Sequence, residues 1–273
     1  MSGVRELRGA TVLSTTEFDV ACDLLDLPRP AVLELTGPGR TERERAQVVR
    51  DTLAVLVARG LAGPGGVDAG LATDLDTVAR PDRTRELHVA EPYPLRAVVG
   101  LRGRRAVLAV RSDDHVAVAP VAVDRAAAVL VELLGPIRSG PGPQVRLPMR
   151  ALVEVGRACA QDRDRLRPEL LRRGATAAEV ALLERMAEVY ALAELGAGGA
   201  PGSPRPRAFL LVQATPHGHY RQIRTTPDRL GGEPSADAVV RAGPADAAGL
   251  VAELEGLADE VGRAVELRAP GAR

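Results

Sequence analysis

The chain of 273 residues has no lysine, no asparagine and no tryptophan, and only two phenylalanines and three tyrosines. Lysine and asparagine share A-rich codons, so a GC-rich coding sequence accounts for both absences. All 36 basic side chains are therefore arginine. Arginine is the default cation here and no sign of selected phosphate contacts. The same number of acidic residues, 36, brings the net charge to zero, which excludes a global field that would recruit nucleic acid or anionic lipid. Cysteine is nearly absent too. Cys22 and Cys159 stand alone with no CxxC pair, so a reduced, cytoplasmic setting is expected over a disulfide scaffold. No apolar run approaches the roughly 18 residues needed to span a bilayer, and Met1 to Ala10 lacks the apolar core of an export signal. With aromatics scarce, valine, leucine and alanine must supply the core.

What is present is a regular alternation of helix and strand signals. Thr11 to Leu13 reads as a short strand and Thr15 to Leu25 as a helix with Phe18, Ala21, Cys22 and Leu25 on one face. Pro28 and Pro30 stop it, and Ala31 to Leu35 reads as extended. A helix from Thr41 to Arg59 opens with a capping box, Thr41 and Glu44, and closes at Gly60; Val49, Leu53, Leu56 and Val57 form its apolar face. Gly63 to Gly66 is a loop, and a helix near Asp68 to Ala79 follows. Arg85 to Val89, Leu95 to Leu101, Ala106 to Val110 and His115 to Val123 are strands, the last two joined through Ser112, Asp113 and Asp114. The helix Arg125 to Leu134 ends at Gly135-Pro136, and Ser139 to Pro143 is the candidate boundary between halves.

The second half opens with mixed helix from Ala151 to Leu171. A helix capped by Thr176 and Glu179 follows, with Val180, Leu183, Met186, Val189 and Tyr190 as its apolar face. Gly196 to Pro206 is a Gly/Pro-rich connection. Phe209 to Ala214 and Tyr220 to Thr225 form a hairpin around Pro216-His217-Gly218, and Gly231 to Pro234 is a loop. The chain then nearly repeats itself. His115 to Val123, Asp124 and a helix containing Glu132-Leu133 in the first half match Ala238 to Val240, Pro244, Asp246 and a helix containing Glu253-Leu254 in the second. This predicts an α+β fold with two related halves, 1–138 and 144–265, and a short tail, 266–273.

Chemistry-bearing motifs are few. There is no GxSxG elbow, no GKS or GKT phosphate loop and no HExxH. His217 and His219 are the best metal candidates, because residues two apart on a strand share a face, but Zn sites need three or four ligands and no third is placed. Asp113-Asp114-His115 fits a polar turn better than acid–base chemistry. The charge run Gln161 to Arg167 reads as a solvated helix face. Tyr93, between Pro92 and Pro94, can anchor an interface from a stiff loop. A metal-dependent enzyme using His217 and His219, or a non-catalytic dimeric scaffold, are the alternatives that these residues leave open.

Four stretches carry a family resemblance: Glu17-Phe18-Asp19-Val20 through Pro28; Gly39 to Arg45 with its helix to Leu61; Asp74-Leu75 through Pro81; and Thr215 to Tyr220 with Gly243-Pro244-Ala245-Asp246. In this order they resemble the EspG family of ESX (type VII) secretion. Family members commonly have Gly-Arg-Tyr where this chain has Gly218-His219-Tyr220. The resemblance implies a single domain, 1–273, with a central, mostly antiparallel sheet carrying N- and C-terminal helical bundles in a quasi-two-fold arrangement. It also implies a cytosolic, non-enzymatic chaperone that needs no cofactor and binds a PE–PPE or WXG-like helical hairpin, with a homodimer also open. The contacts it implies fall on Ala90 to Leu95 and part of Ala177 to Leu195, with Glu91, Tyr93, Met186 and Tyr190 as candidate partner-binding residues.

Overall fold

In the computed structural model, described for residues 9–91, 93–159, 162–201, 203, 208–225 and 238–266, one sheet runs through the whole molecule. A short strand β1 (Thr11–Ser14) leads directly into α1 (Thr15–Leu24). Ser14 ends the strand and caps the helix: its Oγ accepts from Glu17 N at 3.1 Å, and Ser14 N donates to Glu17 Oε2 at 2.6 Å. Helix α2 (Glu42–Ala58) carries the expected Thr41–Glu44 box. A small hairpin, β2 (Ala62–Gly63) with β3 (Gly66–Val67), occupies the stretch read as a loop, and α3 (Ala69–Ala79) is capped by Asp68. Four strands follow as a meander: β4 (Arg83–Glu91), β5 (Leu95–Arg102), β6 (Arg105–Ser112) and β7 (His115–Val121), then α4 (Ala126–Glu132).

The second half runs through the same kinds of element. Strand β8 (Val145–Pro148) leads to α5 (Met149–Cys159), α6 (Leu166–Arg172) and α7 (Ala177–Ala187). A meander of β9 (Ala191–Gly199), β10 (Ala208–Thr215), β11 (Gly218–Thr225) and β12 (Val239–Pro244) ends in α8 (Ala247–Glu266). The strand order is β1-β7-β6-β5-β4-β9-β10-β11-β12-β8, and among the described residues every ladder between these strands is antiparallel. In each half the first strand pairs with the last. The halves meet at β4 and β9, whose register runs from Arg83↔Gly199 to Val89↔Ala193.

Helices α4 and α8 cover one face of the sheet. Their Leu130, Leu250 and Leu254 pack on Leu87, Val99, Leu195 and Leu210, so this core draws on both halves. On the opposite face the helices divide. Residues of α1, α2 and α3 enclose Val98, Val107 and Val116, whereas Leu182 and Met186 of α7 enclose Tyr220 and Val240. Cys22 is fully buried, and burial pushes its thiol up to about 12, as for a small core residue rather than a reactive one.

Several sequence expectations need correction. Ala31–Leu33 is a 3-10 turn, because Glu34 takes a left-handed φ of 45° and its carbonyl receives Arg111 Nη1. The helix expected over 151–171 is two helices, α5 and α6. Val57 lies exposed, so the inner face of α2 is Thr52 and Leu56. Most consequential, α7 ends at Ala187, and Ala191–Gly199 forms a central strand instead of a helix end and a loose connection. Ala, Leu and Glu favour helix in isolation, but pairing on both sides outweighs that preference. Glu266 still belongs to α8. The expected tail over 267–273, the loop 231–234, Pro204 to Pro206, Pro92 and Gln161 lie outside the described residues.

Candidate functional site

At one end of the sheet, the turn between β4 and β5, the start of β9 and the end of β10 lie side by side. Strand β4 reaches this end through an irregularity: the register shifts between Val89 and Glu91, so that Glu91 pairs with Leu192. Such a bulge re-aims the strand end and is a frequent device beside functional sites. Two residues on, Tyr93 is 72% exposed. Two residues before Leu192, Tyr190 is 60% exposed, and its backbone N donates to Ala214 O at 3.0 Å, which moors it to β10. Val189 and Leu192 are exposed beside it.

Behind these side chains is an apolar cavity of about 240 Å³. Val89, Tyr93, Leu95, Leu133, Leu192 and Val212 line it, with His219 at its wall. Leu133 and Leu134 close its floor just past the last turn of α4, which stops because Gly135 takes φ 77° ahead of Pro136. A large exposed aromatic beside a preformed apolar hollow can receive an apolar side chain from another protein.

The sequence-predicted residues are distributed as follows. Glu91, Tyr93 and Tyr190 come to the same sheet end, although the Glu91 side chain lies outside the described residues. Met186 does not join them. It is 2% exposed and packs with Leu182, Tyr220 and Val240 in the core beneath α7. Tyr190 is not on the helix face where the spacing put it, since the helix has already ended. Leu133, Leu134 and Leu192 were missed. The signal for Leu192 was available in the alternation of Ala193, Leu195 and Ala197, all buried, with Leu192 and Glu194, both exposed.

The two histidines have separate partners. His217 sits in the β10–β11 turn with Nε2 3.3 Å from Glu188 Oε1. His219 Nδ1 accepts from Arg138 N at 3.0 Å. Among the described residues, no group of three or more His, Cys, Asp or Glu side chains converges in a way that could hold a metal ion. Among them, too, no helix is long and apolar enough to cross a membrane.

No curated protein matches this chain. Solved structures do. Among them is the Mycobacterium tuberculosis type VII secretion system chaperone EspG5, solved in complex with a PE25-PPE41 dimer. It superposes with a TM-score of 0.72 at 18% identity, over 92% of this chain and 96% of that one. The fold is thus shared over most of both chains, at a level of identity that carries the architecture alone. The sequence profile of the EspG family matches residues 14–256, which takes in every described strand but the first, both groups of helices and the sheet end just described, and the chain belongs to the EspG family.

Proposed function

We propose that this chain is a cytoplasmic, non-enzymatic chaperone that binds a helical secretion substrate of the PE–PPE type, or a WXG-like hairpin, and keeps its apolar tip from self-association. The observation that carries this reading is the apolar cavity lined by exposed Tyr93 and Leu192, with exposed Tyr190 two residues before Leu192. A monomeric surface rarely leaves large apolar side chains grouped beside a hollow without a partner to cover them. The relative EspG5 was captured with a helical dimer of this class, which makes such a dimer the natural client to test. Binding of this kind makes and breaks no covalent bond, so no cofactor enters. The chain works as one domain built from two related halves, 1–138 and 144–265, with the client held where they join.

The test is calorimetric titration with a purified PE–PPE-type pair from the same genome. Wild type should form a stable complex. Replacing Tyr93 and Tyr190 together with Ala should weaken it by about 3 kcal/mol, the scale of two buried interface aromatics, while leaving the fold intact. If wild type binds no such pair, the reading is wrong. Met186→Ala serves as the contrast: it should lower stability through a cavity rather than change affinity at unchanged fold.

A further inference from the structure

On the sheet face where the helices divide, no described helix covers the middle strands, although Thr84, Leu211 and Gln222 are buried there among their neighbours. Neither helix-covered cluster on that face takes in a residue of β4 or β9. Gly196 on β9 has nothing within 4 Å of where a Cβ would stand, and Glu194 beside it is exposed. Arg224 lies on β11 on this same face, opposite Phe209, because its neighbour Ile223 is in the core under α8 and strand side chains alternate. Its guanidinium is held in one orientation. Nε and Nη2 donate to Gln222 Oε1 at 3.0 and 2.8 Å, and Gln222 Nε2 donates on to Gln213 Oε1 at 2.6 Å.

These partners are neutral amides. Arg45, Arg85 and Arg221, also withdrawn from solvent, face Asp19, Glu255 and Glu253 respectively. Arg224 has no carboxylate partner among the described residues, and burial alone pushes its pKa down. None of its remaining N–H groups is sealed from solvent. A partly desolvated cation without a counter-ion is costly in the free protein, and that cost is recovered when a carboxylate docks. A guanidinium already fixed in its plane loses little freedom on pairing and offers a fork that a carboxylate fits bidentately.

Resting on the chaperone reading, we propose that Arg224, braced by Gln222 and Gln213, is the receptor for an aspartate or glutamate side chain of the client. The client segment then runs from Arg224 toward the exposed Glu194, between the two helical groups. Phe209 gives it an apolar footing, and Gly196 allows close backbone approach. Glu194, about 12 Å away, two strands across and two residues along, meets a basic residue of the same segment.

The experiment titrates the purified PE–PPE-type pair into wild type, Arg224→Met and Arg224→Lys, at low and high salt, and follows the melting of each free protein. Arg224→Met should bind about tenfold more weakly, and Arg224→Lys should recover part of the loss. One Asp→Asn or Glu→Gln change in the client should cost the same on wild type and nothing further on Arg224→Met. Free Arg224→Met should melt at the wild-type temperature or about 2 °C above it. Equal affinity of Arg224→Met, while the Tyr93/Tyr190 double variant still binds weakly, overturns this proposal and leaves the chaperone reading standing. A free Arg224→Met that melts several degrees lower makes the arginine structural and also overturns it. So does a loss that no client carboxylate reproduces, or protection of wild type by sodium sulfate with client affinity unchanged, which marks a free-anion site. If wild type binds no pair at all, both readings fall together.

Discussion

Asp19 on α1 is 2% exposed at its side chain, so its carboxyl oxygens must be answered within the protein. Arg29 Nε donates to its Oδ1 at 2.9 Å, and Arg45 Nη1 lies 2.6 Å from Oδ2 as an ion pair outside hydrogen-bond geometry. Asp23, one turn on, pairs with both arginines. The four side chains tie the segment between α1 and α2 down onto α1. Asp19→Ala strands two guanidinium groups and should cost about 2 kcal/mol in urea unfolding at pH 7, less than for a sealed pair because both arginines keep contact with water. Burial pushes the Asp23 carboxyl up, but Arg45 and Arg29 together hold it below the usual carboxylate value; Glu17 is likewise held low by Arg59 and Ser14 against its burial. A carboxyl with a lowered folded pKa contributes stability that is present above its unfolded value, near 4, and is lost as pH falls through the folded value. Urea midpoints should therefore drop below about pH 4 in wild type and drop less in Asp23→Asn. The sequence placed Glu17, Asp19 and Arg45 within family-like stretches, but it could not pair them. Charges 26 positions apart meet only because α2 packs back on α1.

At the scale of elements, the stretch Ser139 to Pro143 shows how composition and packing can disagree. Its glycines and prolines read as a flexible boundary, yet it is seated against β11. Gly140 N donates to His219 O at 3.2 Å, Tyr220 OH donates to Pro141 O at 3.2 Å, and Ser139 bridges to His219. Tyr220 is fully buried, and a Cβ on Gly140 would stand 2.3 Å from its Cζ. Gly140→Ala should therefore force the ring aside and cost about 2 kcal/mol, read as a lowered melting temperature, whereas Gly65→Ala, with nothing within 4 Å, should leave it almost unchanged. Capping boxes were the most legible elements. Thr41 with Glu44 and Thr176 with Glu179 are local chemistry, complete within four residues, and both form as the spacing predicts. Strands β8 and β9 were illegible for the opposite reason. Val145–Pro148 and Ala191–Gly199 are strands because distant partners, β12 for the first and β4 and β10 for the second, pair with them. The exposure of Tyr93 was readable from its flanking prolines. Tyr190 was named for a helix face, and it is exposed because that helix stops three residues earlier.

At the scale of the whole molecule, the sheet makes the two halves one cooperative body. The core under α4 and α8 contains Leu87, Val99 and Leu130 from the first half and Leu195, Leu210 and Leu254 from the second, and Arg85 on β4 reaches Glu255 on α8 at 2.6 Å. Calorimetry should therefore show a single unfolding transition, with calorimetric and van't Hoff enthalpies equal. A fragment ending at residue 138 should self-associate, since it bares the nine-residue edge of β4 together with Leu87. Two resolved transitions, or a soluble monomeric fragment, would show that the halves are independent. What the sequence determined by itself was whatever depends on near neighbours and on amino-acid supply: helix starts and caps, hairpin turns at Asp113 and His217, a core of aliphatic residues, neutral charge, and the order of motifs that marks the family. What only the tertiary structure decided was whatever depends on residues far apart in the chain. It decided which strands stand at the centre, that Met186 is core while Tyr93 lines a hollow and Tyr190 is exposed at the same sheet end, and that Arg224 has no carboxylate partner among the described residues. Those outcomes are set by pairing and burial, whose energies belong to contacts between segments and are carried by no single stretch of the chain.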